Sequence, residues 1–330
     1  MEVAVKAQVR TAQQRHVIDD SSKVGEARRA AQTLANFEFS AEIAGKVAIA
    51  ATELANNLLL HAGGGELLIQ TLGEDDAAVV ELLAIDRGPG MVDTERCLRD
   101  GYSTAGTPGT GLGAIRRLAT EFDIHSVPGE GTIVMARFGN MRGPRYGAVS
   151  VALEGEIECG DAWSLKQDSQ GFALFIVDGL GHGTFAAEAS RIAVGAFEAS
   201  PFAEPQDVMV RANGLMSKTR GGAAASARVI DDKVSFAGVG NISGTLISAG
   251  KSQGLVSHNG TLGLNRSRTQ QFEYQRAPGA LLIMHSDGIS ARWELKQRPE
   301  LLARHPAIVA AALYRDHGRA RDDATVVVVS

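Results

Sequence analysis

The chain has 330 residues, of which 44% are hydrophobic and 22% charged, and its formal net charge is −5. This length suggests about two domains, and the composition is that of a folded chain rather than a disordered one. Net negative charge without a block of Lys or Arg argues against nucleic acid as the main partner. Cys97 and Cys159 are far apart, which fits a reduced cytoplasmic protein better than a disulfide framework. The N-terminus lacks a secretory apolar core, and no uninterrupted apolar run reaches ~18 residues, so no membrane association is expected.

Hydrophobic periodicity predicts helices and strands in the first half. Ser40 is a suitable N-cap for a long helix with an apolar stripe on one side. In chain order the prediction is helices over 22–36 and 40–62, strands over 66–72 and 78–85, a helix over 112–120, and strands over 122–126 and 132–138.

A glycine- and proline-bearing segment, 140–147, predicts a linker between two domains, 1–139 and 148–330. No internal repeat relates the two halves. The second half predicts strands over 148–153, 172–177, 224–230, 233–239, 244–248, 280–285 and 324–329, with a helix over 185–199.

A first group of motifs has the parts of a nucleotide site: ELANN at 53–57, DRGPG at 86–90 and GTGLG at 109–113. Glu53 and Asn57 share a helix face, where the amide can bind magnesium and the carboxylate can accept a proton. Asp86 follows a buried strand and can accept a hydrogen bond from an exocyclic amine. The last glycines precede a helix N-terminus, which favours anions. Each motif is common by itself, but the ordered set predicts an ATP pocket.

A second group places Asp161, Asp178, Asp287 and Asp322 at strand ends or beside tight turns. Carboxylates are hard donors that suit Mg or Mn, and the second half has no Cys/His spacing for zinc. Two such ions ~3.5–4 Å apart can hold a water and clamp a phosphoryl group. Asp-Gly is also a common turn pair, so only the ordered set predicts a metal centre. His182 is either a loop histidine or a proton donor to a leaving serine.

Residues from about 20 to 138 resemble the GHKL ATPase family, and within it the serine kinases and anti-sigma factors of the RsbT type. The string TELANNLLLHAGGG carries most of this resemblance. It implies a Bergerat-type α/β sandwich, with Glu53 as catalytic base, Asn57 as ligand of the Mg ion bound with ATP, and Asp86 as adenine contact. It also implies that Thr132 supports the end of the pocket that holds adenine. The residues that would line the bound nucleotide are Gly88, Gly90, Gly109, Gly111 and Gly113.

Residues 148–330 resemble the PPM-type metal-dependent serine/threonine phosphatases of the SpoIIE/RsbX branch, through DGLGHG and RDDATVVVV. The resemblance implies an α-β-β-α sandwich in which Asp323 is not a ligand. The phosphate-binding arginine of many eukaryotic relatives has no counterpart before Gly160, so metal alone is expected to hold the substrate phosphate. Two Mn or Mg ions would be held by Asp161, Asp178, the carbonyl of Gly179, Asp287 and Asp322.

Together these features predict an α+β, bifunctional partner-switching regulator in the cytoplasm. Its first domain would phosphorylate a serine or threonine of a STAS-type antagonist protein with Mg-ATP, and its second would remove that phosphate. A sigma factor and a stressosome-like assembly are further candidate partners. Two alternatives stay open for the first domain: a non-catalytic module that sequesters a sigma factor or antagonist, and a nucleotide sensor. Simultaneous activities would waste ATP, so a partner or the interdomain arrangement is expected to silence one.

Overall fold

The computed structural model describes residues 13–73, 77–98, 111–248, 251–264 and 269–330. The chain divides into two compact units, Met1–Arg142 and Gly143–Ser330. Each unit packs helices against largely antiparallel sheets, which confirms the predicted α+β class.

The first unit holds one antiparallel sheet with the strand order β1-β2-β3-β5-β4. Its strands are β1 (Gln14–Ile18), β2 (Gly65–Leu72), β3 (Val79–Ile85), β4 (Glu121–Val127) and β5 (Gly131–Gly139). Its helices are α1 (Ser21–Glu38), α2 (Ala41–Ala62), α3 (Thr94–Cys97) and α4 (Gly111–Leu118).

Local signals fix the ends of the long helix α2. The Ser40 side chain accepts a hydrogen bond from the backbone of Ile43 at 3.4 Å, as an N-cap does. The helix ends at Gly63, whose φ of 74° is the left-handed conformation that glycine adopts without strain. By length and apolar composition α2 would suit a membrane span, but Val47, Leu54 and Leu58 are buried in the core of the unit. It is therefore a core helix.

The sheet presents one apolar face to α1 and α2. Alternate residues of its strands, such as Ile69, Leu82 and Ala136, join the helices in one hydrophobic core, as the two-residue period of a strand requires. This packing sets the last residues of β3 beside the C-terminal half of α2.

The second unit contains two stacked sheets with helices on the outer faces. Its strands are β6 (Tyr146–Val151), β7 (Asp161–Gln167), β8 (Gly171–Gly179), β9 (Gly222–Ile230), β10 (Lys233–Val239), β11 (Ser243–Ser248), β12 (Lys251–Leu255), β13 (Ser257–His258), β14 (Gln271–Gln275), β15 (Leu281–His285) and β16 (Ala324–Val329). Its α-helices are α5 (Thr184–Glu198), α6 (Pro205–Leu215), α7 (Pro299–Leu302) and α8 (Pro306–His317).

One sheet has the order β13-β10-β9-β8-β7, with β14 also paired to β10, and the other has the order β12-β11-β15-β16-β6. Helices α5 and α6 pack on the first sheet, and α8 packs on β6 and β16 of the second. This is the α-β-β-α sandwich predicted from the sequence.

The topology brings distant aspartates to one edge of the sandwich. The start of β7 pairs with the end of β8, so Asp161 lies directly opposite Asp178. In the other sheet β15 and β16 are antiparallel neighbours, so Asp287, just after β15, and Asp322, just before β16, also share an edge.

Several elements of the second unit differ from the prediction. Strand β6 begins at Tyr146, inside the predicted linker, because Tyr146 and Gly147 pair with Val329 and Val328. Helix α8 was missed because it is buried nearly all round and shows no polar face. Helix α6 was missed although it has Pro at its first turn and an amphipathic pattern.

Candidate functional site

In the first unit, α2 presents Glu53 and Asn57 on one face, one turn apart, and both are half-buried. The first residue of α4, Gly111, lies directly over them. A Cβ atom on Gly111 would stand 3.1 Å from Glu53 Oε2 and 3.6 Å from Asn57 Oδ1. The absence of a side chain on Gly111 therefore lets a helix N-terminus, which favours anions, approach the carboxylate and the amide.

The amide of Asn57 is incompletely satisfied by the protein. Its Nδ2 atom is buried, and among the described residues it has no hydrogen-bond partner. Buried polar groups are nearly always hydrogen-bonded. The amide is therefore a group that a bound ligand would be expected to complete.

The Asp86 side chain, directly after β3, is held by hydrogen bonds from the backbone of nearby residues. Its Oδ1 accepts hydrogen bonds from the backbone N–H groups of Gly88 at 2.8 Å and Thr132 at 3.0 Å, while its own N–H donates to Thr132 O at 2.9 Å. The Thr132 hydroxyl shares a 2.8 Å hydrogen bond with Ser126. Thr132 thus supports the aspartate from the neighbouring strand β5.

Close packing alone requires glycine at positions 88 and 90. A Cβ on Gly88 would come within 2.7 Å of Ala62, at the end of α2. Gly90 has φ of 67°, and a Cβ there would come within 2.1 Å of Val127 O. Both glycines let the segment after Asp86 pack closely against α2 and β4.

The structure therefore gathers the predicted nucleotide residues along α2. Gly111 covers Glu53 and Asn57, and the loop that follows Asp86 contacts the end of the same helix. Gly113 is buried inside α4, and Gly109 lies outside the described residues.

In the second unit, Asp161 and Asp178 face each other across the β7–β8 pair. Asp161 is 5% exposed, and its Oδ2 accepts a 2.6 Å hydrogen bond from Ser286 Oγ. Burial and the charge of Asp178 raise the pKa of Asp161 well above its usual range, although the Ser286 hydrogen bond opposes this.

The other two aspartates add to the same negative cluster. Asn241 Nδ2 donates to Asp287 Oδ2 at 2.6 Å. Burial and the neighbouring Asp287 raise the pKa of Asp322. Burial, together with Asp287 and Asp322, raises the pKa of Asp178 to about 7. The four predicted carboxylates therefore lie close enough to repel one another.

Asp323 has a different role from its neighbour Asp322. Its Oδ1 accepts from Leu153 N at 2.7 Å, and its Oδ2 accepts from Gly160 N at 2.9 Å. It is 3% exposed. Both of its oxygens thus tie β16 to the segment that leads into β7.

The glycines beside the aspartates are required by close packing rather than by unusual φ angles. A Cβ on Gly179 would come within 2.2 Å of Ala186 O in α5, and one on Gly160 within 2.7 Å of Asp323 Oδ2. A Cβ on Gly288 would come within 1.8 Å of Asp323 O. These glycines let three chain segments converge at the aspartate cluster.

The donor chemistry of this cluster fits a hard divalent cation. Its side chains supply carboxylate oxygens that no Lys or Arg of the described chain neutralises by an ion pair. No group of three His, Cys, Asp or Glu side chains among the described residues converges on a single point as a ready-made ligand set. Carboxylate oxygens are the hard donors that magnesium and manganese take, so the fit to a divalent cation rests on the chemistry of the donors.

His182 lies in the loop after β8 and pairs with a carboxylate. Its Nδ1 is 2.6 Å from Glu156 Oε1. A Cβ on Gly183 would come within 2.6 Å of Glu156 Oε2, so Glu156 lies closely along this loop. The carboxylate holds one ring nitrogen, and 57% of the His182 side chain is exposed.

A groove of about 390 Å³ adjoins the cluster through Asn241. His285 and Trp293 form part of its wall. His285 Nδ1 donates to Ser286 O at 2.8 Å, and its Nε2 accepts from Trp293 Nε1 at 3.3 Å. Burial lowers the pKa of His285, so the neutral ring fixes the turn that carries Asp287.

Sequence reasoning did not assign Ser286, Asn241 or Glu156 to the site. Ser286 directly precedes the predicted ligand Asp287 in the sequence, and this position is a usable signal because a hydroxyl next to a ligand can orient its neighbours. Asn241 and Glu156 lie in segments without a motif, and only the fold brings them to Asp287 and His182.

Two family profiles match the chain in succession. Residues 19–138 match the histidine kinase-like ATPase domain, and residues 168–330 match the family of stage II sporulation protein E, SpoIIE. These ranges fall in the first and second compact units respectively.

Among individual proteins, the serine/threonine-protein kinase RsbT of Bacillus subtilis is 38% identical over 91 residues. The aligned region is 28% of this chain and 68% of RsbT.

Solved structures are also similar to parts of the chain, among them the following two. A structure described as the bacterial stressosome, a modular system adapted to control secondary messenger signalling, matches with a TM-score of 0.53 and 30% identity over 57% of this chain and 100% of the other. RsbX in complex with magnesium matches with a TM-score of 0.51 and 19% identity over 64% of this chain and 100% of RsbX. The second likeness is one of fold alone.

Proposed function

Since the chain belongs to the RsbT-type histidine kinase-like ATPases and joins that domain to a SpoIIE-type phosphatase domain, we propose that it phosphorylates and dephosphorylates one STAS-type antagonist protein. The observation that supports the proposal is that each unit brings together a group of residues, and that the two groups suit opposite chemistry. Glu53 and Asn57 meet a helix N-terminus in one unit, and an acidic cluster is built in the other.

In the kinase direction, Asn57 would hold the magnesium ion of Mg-ATP, and Asp86 would accept a hydrogen bond from the adenine amine. Glu53 would take the proton of the attacking serine or threonine hydroxyl. The amides at the start of α4 would face the phosphates.

In the phosphatase direction, Asp161, Asp178, the carbonyl of Gly179, Asp287 and Asp322 would hold two Mn or Mg ions. Such ions supply an activated water and neutralise the phosphoryl group. His182, oriented by Glu156, would give a proton to the leaving serine oxygen.

Phosphate transfer from radiolabelled ATP to a purified STAS-domain protein tests the proposal. We expect Glu53→Ala to abolish labelling of the STAS protein and to keep the Mn-dependent release of phosphate. Asp178→Ala should do the reverse. Glu42→Ala on the exposed start of α2 and Asp207→Ala on the exposed start of α6 are matched controls that should change neither activity.

The outcomes separate the proposal from its alternatives. ATP binding without label transfer would identify the first domain as a sequestering module. A phosphatase rate that follows ATP concentration without any phosphoprotein would identify a nucleotide sensor. If each of the two variants lost both activities, the assignment of two independent sites would be wrong.

A further inference from the structure

Arg220 lies beside the loop that follows Asp178, although no sequence motif points to it. It is two residues before Gly222, which starts β9 and pairs with Gly179 at the end of β8. The next residue, Gly221, accepts a 2.9 Å hydrogen bond from Leu180 N. The backbone on the C-terminal side of Arg220 is thus fastened to the loop that follows Asp178.

A tight turn determines the backbone around Arg220. Thr219 Oγ1 accepts from Gly221 N at 3.0 Å and donates to Met216 O at 2.8 Å. Gly221 has φ of 77°, and a Cβ there would come within 2.3 Å of Leu262 O. Only glycine fits that position, so the turn holds Arg220 in one place at the protein surface.

The guanidinium group is also held in place. Its central carbon lies 5.0 Å from the centre of the Phe185 ring, within the range of a cation–π contact. In addition, a Cβ on Gly181 would stand 3.1 Å from Arg220 Nη1. The missing side chain of Gly181 leaves the space that the guanidinium occupies.

The positive charge of Arg220 is available to bind an anion. The residue is exposed, and no carboxylate of the described chain forms an ion pair with it. Gly181 is three residues from Asp178, so at most about 10 Å of chain separates them. An oriented cation without an anionic partner among the described residues therefore lies against the loop that follows Asp178.

We propose that Arg220 contacts the phosphoryl oxygens of the phosphoserine or phosphothreonine substrate. The planar guanidinium offers paired N–H donors that match phosphate geometry, and the Phe185 ring holds the group in position. This inference rests on the proposed phosphatase function. It replaces the expectation that metal alone holds the substrate phosphate.

The test compares Arg220→Ala, Arg220→Lys and Phe185→Leu with Arg191→Ala, a matched control on the exposed face of α5. Activity is measured on a phosphoserine peptide with Mn²⁺, and calorimetry measures the binding of inorganic phosphate and of Mn²⁺ to the full chain. For Arg220→Ala we expect kcat/KM to fall by about 10²-fold or more and phosphate binding to weaken by about tenfold. Manganese affinity and Tm should not change.

Arg220→Lys should retain part of the phosphate affinity because lysine keeps the positive charge. It should not retain all of it, because lysine lacks the paired N–H donors of the guanidinium. Phe185→Leu should weaken phosphate binding less than Arg220→Ala does. Phosphate affinity in Arg220→Ala equal to that of the Arg191→Ala control would overturn the proposal. A loss of manganese affinity with unchanged phosphate affinity would also overturn it, because it would assign Arg220 to the support of the loop.

The phosphatase activity and the role of Arg220 are tested separately by these measurements. If the wild-type chain released no phosphate from any phosphoprotein, the proposed function would fail. Phosphate binding to the Mn-loaded chain would still show whether Arg220 is an anion contact.

Discussion

Four carboxylates at one edge of a sandwich are costly in the absence of a cation. Asp161 and Asp178 sit on adjacent strands, and Asp287 and Asp322 close the cluster from the second sheet. Burial and mutual repulsion raise the pKa of Asp178 to about 7. Below about pH 7 the protonated carboxyl is then the favoured form of Asp178 in the metal-free folded chain.

The raised pKa predicts that the stability of the metal-free protein falls as pH rises, the opposite of what a carboxylate with a lowered pKa would cause. Between about pH 4 and pH 7 the folded Asp178 keeps a proton that the unfolded chain has lost. The unfolded state binds fewer protons in this window, so stability falls as pH rises. We expect the Tm of the chelator-treated protein to fall from pH 5 to pH 7.5, and Mn²⁺ to restore it at pH 7.5.

Asp178→Asn is the informative variant because it removes the titrating carboxyl and keeps its shape. It should flatten the decrease of Tm between pH 5 and pH 7.5 and reduce the rise caused by Mn²⁺. A metal-free Tm that increased across this window would contradict the assigned repulsion.

The pair of His182 and Glu156 makes a prediction about leaving groups. If His182 donates a proton to the departing oxygen, its loss should matter most for serine, whose alkoxide is a poor leaving group. We expect His182→Ala to lower kcat for a phosphoserine peptide by 10²–10⁴-fold, the usual range for general acid catalysis. An aryl phosphate should be hydrolysed with little change.

Glu156→Gln should act in the same direction and more weakly, because it leaves the imidazole and removes its carboxylate partner. An equal loss with both substrates would show that His182 supports the loop and does not donate the proton.

At the scale of elements, the sheet of the first unit carries a buried ion pair across its strands. Arg137 on β5 and Glu81 on β3 are each fully buried, with Nη2 and Oε2 2.6 Å apart. Gln70 on β2 donates to the other oxygen of Glu81 at 2.7 Å. Removal of one partner would leave a buried charge, whereas apolar replacement of a whole pair is often tolerated.

We therefore expect Arg137→Leu to destabilise the first unit by about 3–5 kcal/mol. The double variant with Glu81→Leu should recover part of that loss. Lys46→Ala, which breaks the exposed pair with Glu42, is the control and should cost less than ~1 kcal/mol. Urea unfolding followed by circular dichroism measures these differences.

Both tryptophans, Trp163 and Trp293, are in the second unit. Their fluorescence is an internal reference for the same unfolding experiment, and we expect Arg137→Leu to leave the second unit's transition in place. A double variant that lost as much stability as the sum of the single variants would contradict the coupling of the two charges.

At the scale of the whole molecule, two opposing activities on one chain imply a cycle. With ATP, Mg²⁺, Mn²⁺ and a STAS-domain protein present, unregulated wild-type protein would consume ATP continuously. With the Asp178→Ala variant, ATP consumption should stop after one phosphate has been transferred to each phosphorylation site of the partner, because the phosphate is not removed.

We expect wild-type ATP consumption to stay well below the rate set by the slower isolated activity, since a regulator gains nothing from futile turnover. The isolated activities are read from the two single-site variants. Steady consumption at the full rate would show that neither the partner nor the chain silences an activity.

The sequence by itself determined much of the local structure and the chemistry. The period of apolar residues gave α2 and most strands, and Ser40 and Gly63 mark the ends of α2 because capping and left-handed turns depend on neighbouring residues alone. The motifs also gave the residue types suited to Mg-ATP and to a hard cation. The sequence did not predict helix α8, because burial on nearly all sides removes the alternation of apolar and polar residues that marks a helix.

The tertiary structure alone decided which groups meet. Ser286 reaches Asp161, Asn241 reaches Asp287 and Glu156 reaches His182 across separations of 125, 46 and 26 residues. Arg220 gains its position from strand pairing and from one aromatic ring. Such contacts depend on how sheets stack and on where glycines let segments converge, and no local pattern of residues encodes those distances.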